Sequence, residues 1–290
     1  MPRPVVGVAM LPRHLSNETA MHALLARLPL LGALLLAGAL VAQAARSHSP
    51  TTFALVASSV LMFGFSWANA TQLLGPRLAG RFVLLALVVG WVAEQLGATM
   101  GWIFGAYHYT EVLGPRLGAV PVVIPMMWFT LGYTAYVLSN FIVWRTPAHG
   151  RESFTDAALV TFLAALILTA FDLGADPYLV FTLKAWIMVK TDGAWFGETV
   201  QGFFGWVFVS CVIIGGFRWL ARSGVPAPSV AYTHRHAALP LLLYASALVF
   251  QVALGNPVEI RSIAVFAMGI PLLAAVAGWR LWQPVAGGRA

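Results

Sequence analysis

The chain is built around repeated stretches of about 20 apolar residues, the length a helix needs to cross the hydrocarbon core of a bilayer. They fall at roughly 26–45, 52–74, 80–103, 118–144, 153–173, 203–222, 236–255 and 262–282. A soluble domain would carry about a quarter charged residues. Here 60% of the 290 residues are hydrophobic and 9% charged, too few polar groups to cover a surface in water. Lipid is therefore the expected solvent. The expected fold is all-α, a polytopic integral membrane helical bundle of about eight transmembrane helices forming a single transmembrane domain over 1–290. No soluble domain, low-complexity tract or internal repeat stands out. The 11 Trp and 18 Phe suit this reading, because amphipathic aromatics collect at membrane interfaces.

Charge gives an orientation. With the N-terminus inside, the inner connections take 12 of the 17 basic residues, and the outer ones only Arg46, Arg116, Lys184, Lys190 and Arg261. That asymmetry follows the positive-inside rule and places both termini inside, N-in and C-in, in the cell (inner) membrane. Charge this sparse gives no phosphate-binding stripe, so nucleic acid is excluded as a partner. Membrane lipid is the expected surrounding. The polar, Pro-containing stretch 1–18 does not resemble a cleavable signal, and the run after it is expected to span. Cys211 is the single cysteine and allows no intramolecular disulfide.

Acidic residues gather on the other side: Glu94, Glu111, Asp172, Asp176, Asp192, Glu198 and Glu259 all fall in outer halves of helices or outer loops. The longest irregular connection, 174–202, carries Tyr178, Phe181, Trp186, Trp195 and Phe196. Its part 177–190 is too short to span, so an interfacial or re-entrant helix is expected there.

Glu94 is the clearest anomaly, an acid deep in the third apolar run. A carboxylate at that depth costs roughly 2.5–3.5 kcal/mol on insertion scales unless it is paired or wet. Gly90, Gly97 and Gly101 share its helical face, and small residues mark close helix packing, so Glu94 is expected to point into the bundle. It is either a structural hydrogen-bond anchor or a functional carboxylate. Asp172 and Asp176 close the fifth run. If the helix persists, they share a face with Thr169, and the repulsion between two neighbouring carboxylates leaves one neutral acid beside an ionised base. That pairing suits general acid–base chemistry. The alternative is an ordinary helix stop, with Gly174 and Pro177 as its signals. Trp102, Tyr107, His108, Tyr109 and Glu111 lie at the exit of the third run. They form either an interfacial aromatic belt or a group that holds a water and steers a proton. Trp128, Gly132, Tyr136 and Asn140 recur at steps of four, either as helix packing or as the wall of a groove for a long apolar ligand.

Several familiar sites are missing. The sequence has no Gly-rich phosphate loop or dinucleotide fingerprint. Its seven His are scattered without paired boxes, so no metal is expected. Only two lysines occur, neither in an expected span, which argues against a retinal Schiff base.

The run Gly105-Ala106-Tyr107-His108-Tyr109-Thr110-Glu111-Val112-Leu113-Gly114, then Val120-Pro121-Val122-Val123-Ile124-Pro125-Met126-Met127-Trp128, resembles the signature of the membrane-integral carotenoid biosynthesis proteins. These are of the gamma-carotene hydratase and bisanhydrobacterioruberin hydratase type. Asp172-Leu173, Asp176-Pro177, Trp186, Phe196-Gly197 and Phe203-Phe204-Gly205-Trp206 resemble its second half, so the likeness covers about 94–206. Thr199 and Gly202 stand where the family pattern has Pro and Asn, and Lys184-Ala185-Trp186 where it has Trp-x-Trp. The resemblance implies hydration of the terminal double bond of an acyclic carotenoid end, without redox cofactor or metal. Its expected partners are a carotenoid substrate and other enzymes of that pathway.

On that resemblance Asp172 and Asp176 are the expected acid and water-orienting base, in either order. Glu94 is their buried partner, and Tyr107 and Tyr109 relay or position the proton. Trp102, His108, Glu111, Trp128, Trp186 and Trp206 are the expected substrate-binding residues. An end-group cyclase or isomerase would share the protonation step and exclude water. A carotenoid-binding scaffold or a transporter would do no chemistry.

Overall fold

The structure is a computed structural model and describes residues 13–150, 152–190, 193, 195, 196, 199–226, 228 and 232–283. Asp192, Gly197, Glu198 and the stretch 1–12 lie outside the described residues. Among the described residues, seven helices are long and apolar enough to cross a membrane. They are built from α1 (Arg13–His48), α2 (Thr52–Met100), α3 (Val123–Trp144), α4 (Phe154–Pro177), α5 (Val200–Leu220), α6 (His234–Leu254) and the pair α7 (Glu259–Ala267) and α8 (Gly269–Leu281).

The seven helices hold the eight expected runs because α2 is two segments. Its 49 residues would reach about 73 Å if straight, more than twice a bilayer core. Gly75, at φ 78° and ψ 158°, breaks it immediately before Pro76. Glycine adopts that backbone without a Cβ penalty, and proline withholds the N–H that would continue the ladder. The chain folds back there, since Leu55 and Ser59 before the break line the same cavity as Glu94 after it.

Three boundaries differ from the sequence expectation. The third run ends at Met100 rather than near 103, because Gly101 caps it in the left-handed region at φ 69°. Residues 118–122 belong to a small hairpin of β2 (Arg116–Leu117) and β3 (Val120–Pro121), not to α3. The interfacial or re-entrant helix expected over 177–190 is shorter than that. Helix α4 runs on through Pro177 into a π-turn over Tyr178–Thr182, after which the chain is extended and forms β4 (Trp186–Met188).

Pro177 ought to stop α4, because it cannot donate to the carbonyl four residues back, that of Leu173. The Trp195 indole N–H supplies that carbonyl with a donor at 3.0 Å, and the helix continues. Helix α3 is the central element, and 72% of its most apolar window is buried. Around it Phe82 stacks on Phe217 at 4.0 Å and meets Phe129, Tyr133 and Tyr136 edge-on. Toward the end opposite the 101–122 connection, Arg218 donates to Glu152 at 2.8 Å and to Asn140 at 3.2 Å, and it lies over the Tyr136 ring. This explains the inner half of the Trp128–Asn140 stripe as packing around a buried ion pair.

Candidate active site

The site is assembled by the two connections that follow α2 and α4. Tyr107–Tyr109 forms β1 and pairs antiparallel with β4, matching Tyr107 to Met188, His108 to Ile187 and Tyr109 to Trp186. Side chains alternate along a strand. Tyr107, Tyr109, Trp186 and Met188 therefore face inward and are buried, while His108 and Ile187 face out. Both buried phenols reach Glu94, which is only 3% exposed. Tyr107 donates to Oε2 at 2.5 Å and Tyr109 to the same oxygen at 2.6 Å. The indole N–H of Trp128 donates to Oε1 at 2.9 Å. Three donors on one buried acid meet the requirement that charge taken out of water be hydrogen-bonded.

The glycines around Glu94 explain how these groups come so close. A Cβ at Gly90 would lie 2.8–3.0 Å from the Trp128 side chain, and one at Gly97 would lie 2.9 Å from the Tyr107 hydroxyl. The face of α2 is thus cut away one turn to either side of the carboxylate, where its donors enter. Tyr107 and Tyr109 sit in the connection between spanning segments. Burial first, then the neighbouring Glu94 charge, pushes both phenols well above their ordinary value of 10.0. They keep their protons and remain donors.

Asp172 and Asp176 lie one turn apart on the continuous part of α4, 2% and 7% exposed. Both line a cavity of about 150 Å³ that Glu94, Tyr107 and Tyr109 also line. Apolar and aromatic side chains supply most of the remaining wall, among them Phe104, Met127, Leu179, Trp186 and Trp206. Trp206 stacks on Trp128 at 4.6 Å, so the ring that donates to Glu94 is itself held from behind. Thr199, one of the two departures from the family pattern, caps α5 by accepting from the Gly202 N–H at 3.1 Å. The other departure, Gly202, lines the cavity.

The structure thus brings Glu94, Tyr107, Tyr109, Asp172, Asp176, Trp186 and Trp206 to one cavity, with Trp128 immediately behind Glu94. It does not bring Trp102, His108 or Glu111 there. Trp102 is 60% exposed beyond the Gly101 cap, His108 is turned out by the strand alternation, and Glu111 pairs with Arg116 at the surface. Gln251 and Trp195, which contact the Asp172 turn, carry no sequence signal that singles them out. Each acts through a contact with α4 from a distant part of the chain.

The family model described as carotenoid biosynthesis protein matches residues 50–276. Bisanhydrobacterioruberin hydratase of Haloarcula japonica is 29% identical over 139 residues, covering 48% of this chain and 44% of that protein. The match thus spans less than half of that relative's length. No solved structure matches.

Proposed function

The chain belongs to the carotenoid biosynthesis protein family, a multi-pass membrane protein on that assignment, and we propose that it hydrates the terminal double bond of an acyclic carotenoid end group. The observation that carries the proposal is three buried carboxyl groups, Glu94, Asp172 and Asp176, on the wall of one largely apolar cavity. An apolar cavity of about 150 Å³ is benzene-sized, enough for the branched end of a polyene rather than its whole length. The remainder of the chain would lie toward lipid, with the site near the non-cytoplasmic face of the cell membrane.

One carboxyl of the Asp172–Asp176 pair gives its proton to the less substituted alkene carbon, and a tertiary cation forms. The other orients a water and takes its proton as the oxygen bonds to the cation, so the pair is restored with roles exchanged. Trp186 and Trp206 line the cavity, and an aromatic face turned to a cation in a dry site stabilises it by about 2 kcal/mol or more. Glu94 adds a buried carboxyl whose oxygens its three donors hold in place before the reaction begins. None of these steps calls for a redox group. That the Haloarcula japonica relative is a hydratase supports water addition over cyclisation.

The test is expression in cells that accumulate lycopene, followed by mass analysis of the pigments. Wild-type chain is expected to yield product heavier by one water per reacted end. Asp172→Asn and Asp176→Asn are expected to abolish that product with protein still present in the membrane. Full activity in both single variants would remove the pair from the reaction.

A further inference from the structure

Gln251 of α6 is 3% exposed and lies on the cavity wall. Its Nε2 donates to the Phe171 carbonyl at 2.8 Å, which fixes the amide's orientation. Turned over, its oxygen would face another oxygen. Held this way, Oε1 is buried and has no hydrogen-bond partner among the described residues. Gly174, also on the cavity wall, makes room for it, since a Cβ there would land on that oxygen. Phe171 and Gly174 flank Asp172, with Asp176 one turn further on. A buried carbonyl oxygen without a donor is costly, and nearly all such atoms in folded proteins are paired with protein or water.

We propose that Gln251 Oε1 binds the water that adds to the alkene and holds it against the Asp172–Asp176 turn, a role that rests on the hydration reaction proposed above. The water gives one O–H to Gln251 and the other to the ionised aspartate. Its lone pair is then left to face the cationic carbon. The new C–O bond forms from that lone pair as the aspartate takes the proton. If the water is not held, the same cation decays by losing a proton from an adjacent carbon, and an alkene returns without oxygen. Gln251 therefore governs how the cation partitions, not whether it forms.

The test supplies an acyclic carotene to membranes holding the full chain in heavy water. Hydrated product is measured alongside deuterium in recovered, unhydrated carotene. Gln251→Met keeps the side chain's length and removes the carbonyl. Gly174→Ala displaces the carbonyl while leaving Gln251 in place. Both are expected to lower hydration roughly tenfold or more, the scale of one lost hydrogen bond to the reacting water, while deuterium still enters the alkene. Hydration at the wild-type rate in both variants overturns the role. So does a parallel fall in hydration and deuteration at equal protein level, which a merely structural residue would give. A wild-type chain that neither hydrates nor deuterates the carotene overturns the parent reaction, and the role of Gln251 with it.

Discussion

Substituting Gly90 by alanine places one methyl group where the Trp128 indole now rests. The added Cβ would sit 2.8 Å from Cδ1, 2.9 Å from Cγ and 3.0 Å from Cβ of that side chain. Trp128 cannot simply move aside, because Trp206 is stacked against it at 4.6 Å and its N–H is committed to Glu94. Forcing a methyl into such a contact costs about 1–3 kcal/mol. Displacing the indole also weakens a hydrogen bond to a buried carboxyl, worth about 1.5–3 kcal/mol. Replacing glycine by alanine within a helix returns only about 0.5–1 kcal/mol. The net expectation is a destabilisation of about 2–5 kcal/mol, with loss of activity. Gly80→Ala is the matched control, since a Cβ there meets nothing within 4 Å and brings the helical gain alone. Thermal unfolding of the two detergent-solubilised variants, measured beside the wild type, reads the difference directly. Equal stability of Gly90→Ala and Gly80→Ala would show that Trp128 is not wedged between α2 and Trp206.

Trp195→Phe keeps an aromatic ring but leaves the Leu173 carbonyl without the donor that Pro177 also denies it. A cost of about 1–3 kcal/mol is expected in the same melts, together with lower activity from a loosened Asp172 turn; unchanged stability would mean that α4 passes Pro177 without help. Tyr107 and Tyr109 have phenols raised above 10.0, so the folded state holds their protons after the unfolded chain has released its own. Their contribution to stability is therefore complete below pH about 10 and is lost as pH climbs beyond it. The double Tyr107→Phe, Tyr109→Phe variant should show a shallower alkaline decline, and an identical slope would contradict the burial of these phenols.

Much of this arrangement is legible in the sequence because its causes are local. Apolar runs of bilayer length give the spans, the two segments of α2 among them. An acid flanked by glycines at offsets of minus four and plus three announces a helix face cut away for large neighbours. The rest depends on contacts between distant segments. Whether α4 continued past Pro177 turned on a donor from Trp195, 18 residues further along the chain. His108 lies between two cavity tyrosines yet points away, because three residues pair with β4 as a strand. A strand of that length leaves no periodic signature of its own, and a helical or loop reading groups all three side chains together. Gln251 reads as one polar residue near a helix end until its contact with Phe171 is seen.

Water addition at a carotenoid end is tested most directly by expressing the wild-type chain in lycopene-accumulating cells grown in isotopically labelled water, with the pigments analysed by mass. Hydration predicts a new pigment heavier by one water per reacted end, its hydroxyl oxygen carrying the label. A new pigment of unchanged mass would point to cyclisation or isomerisation. An unaltered pigment profile, with the chain present in the membrane, would contradict the reaction outright.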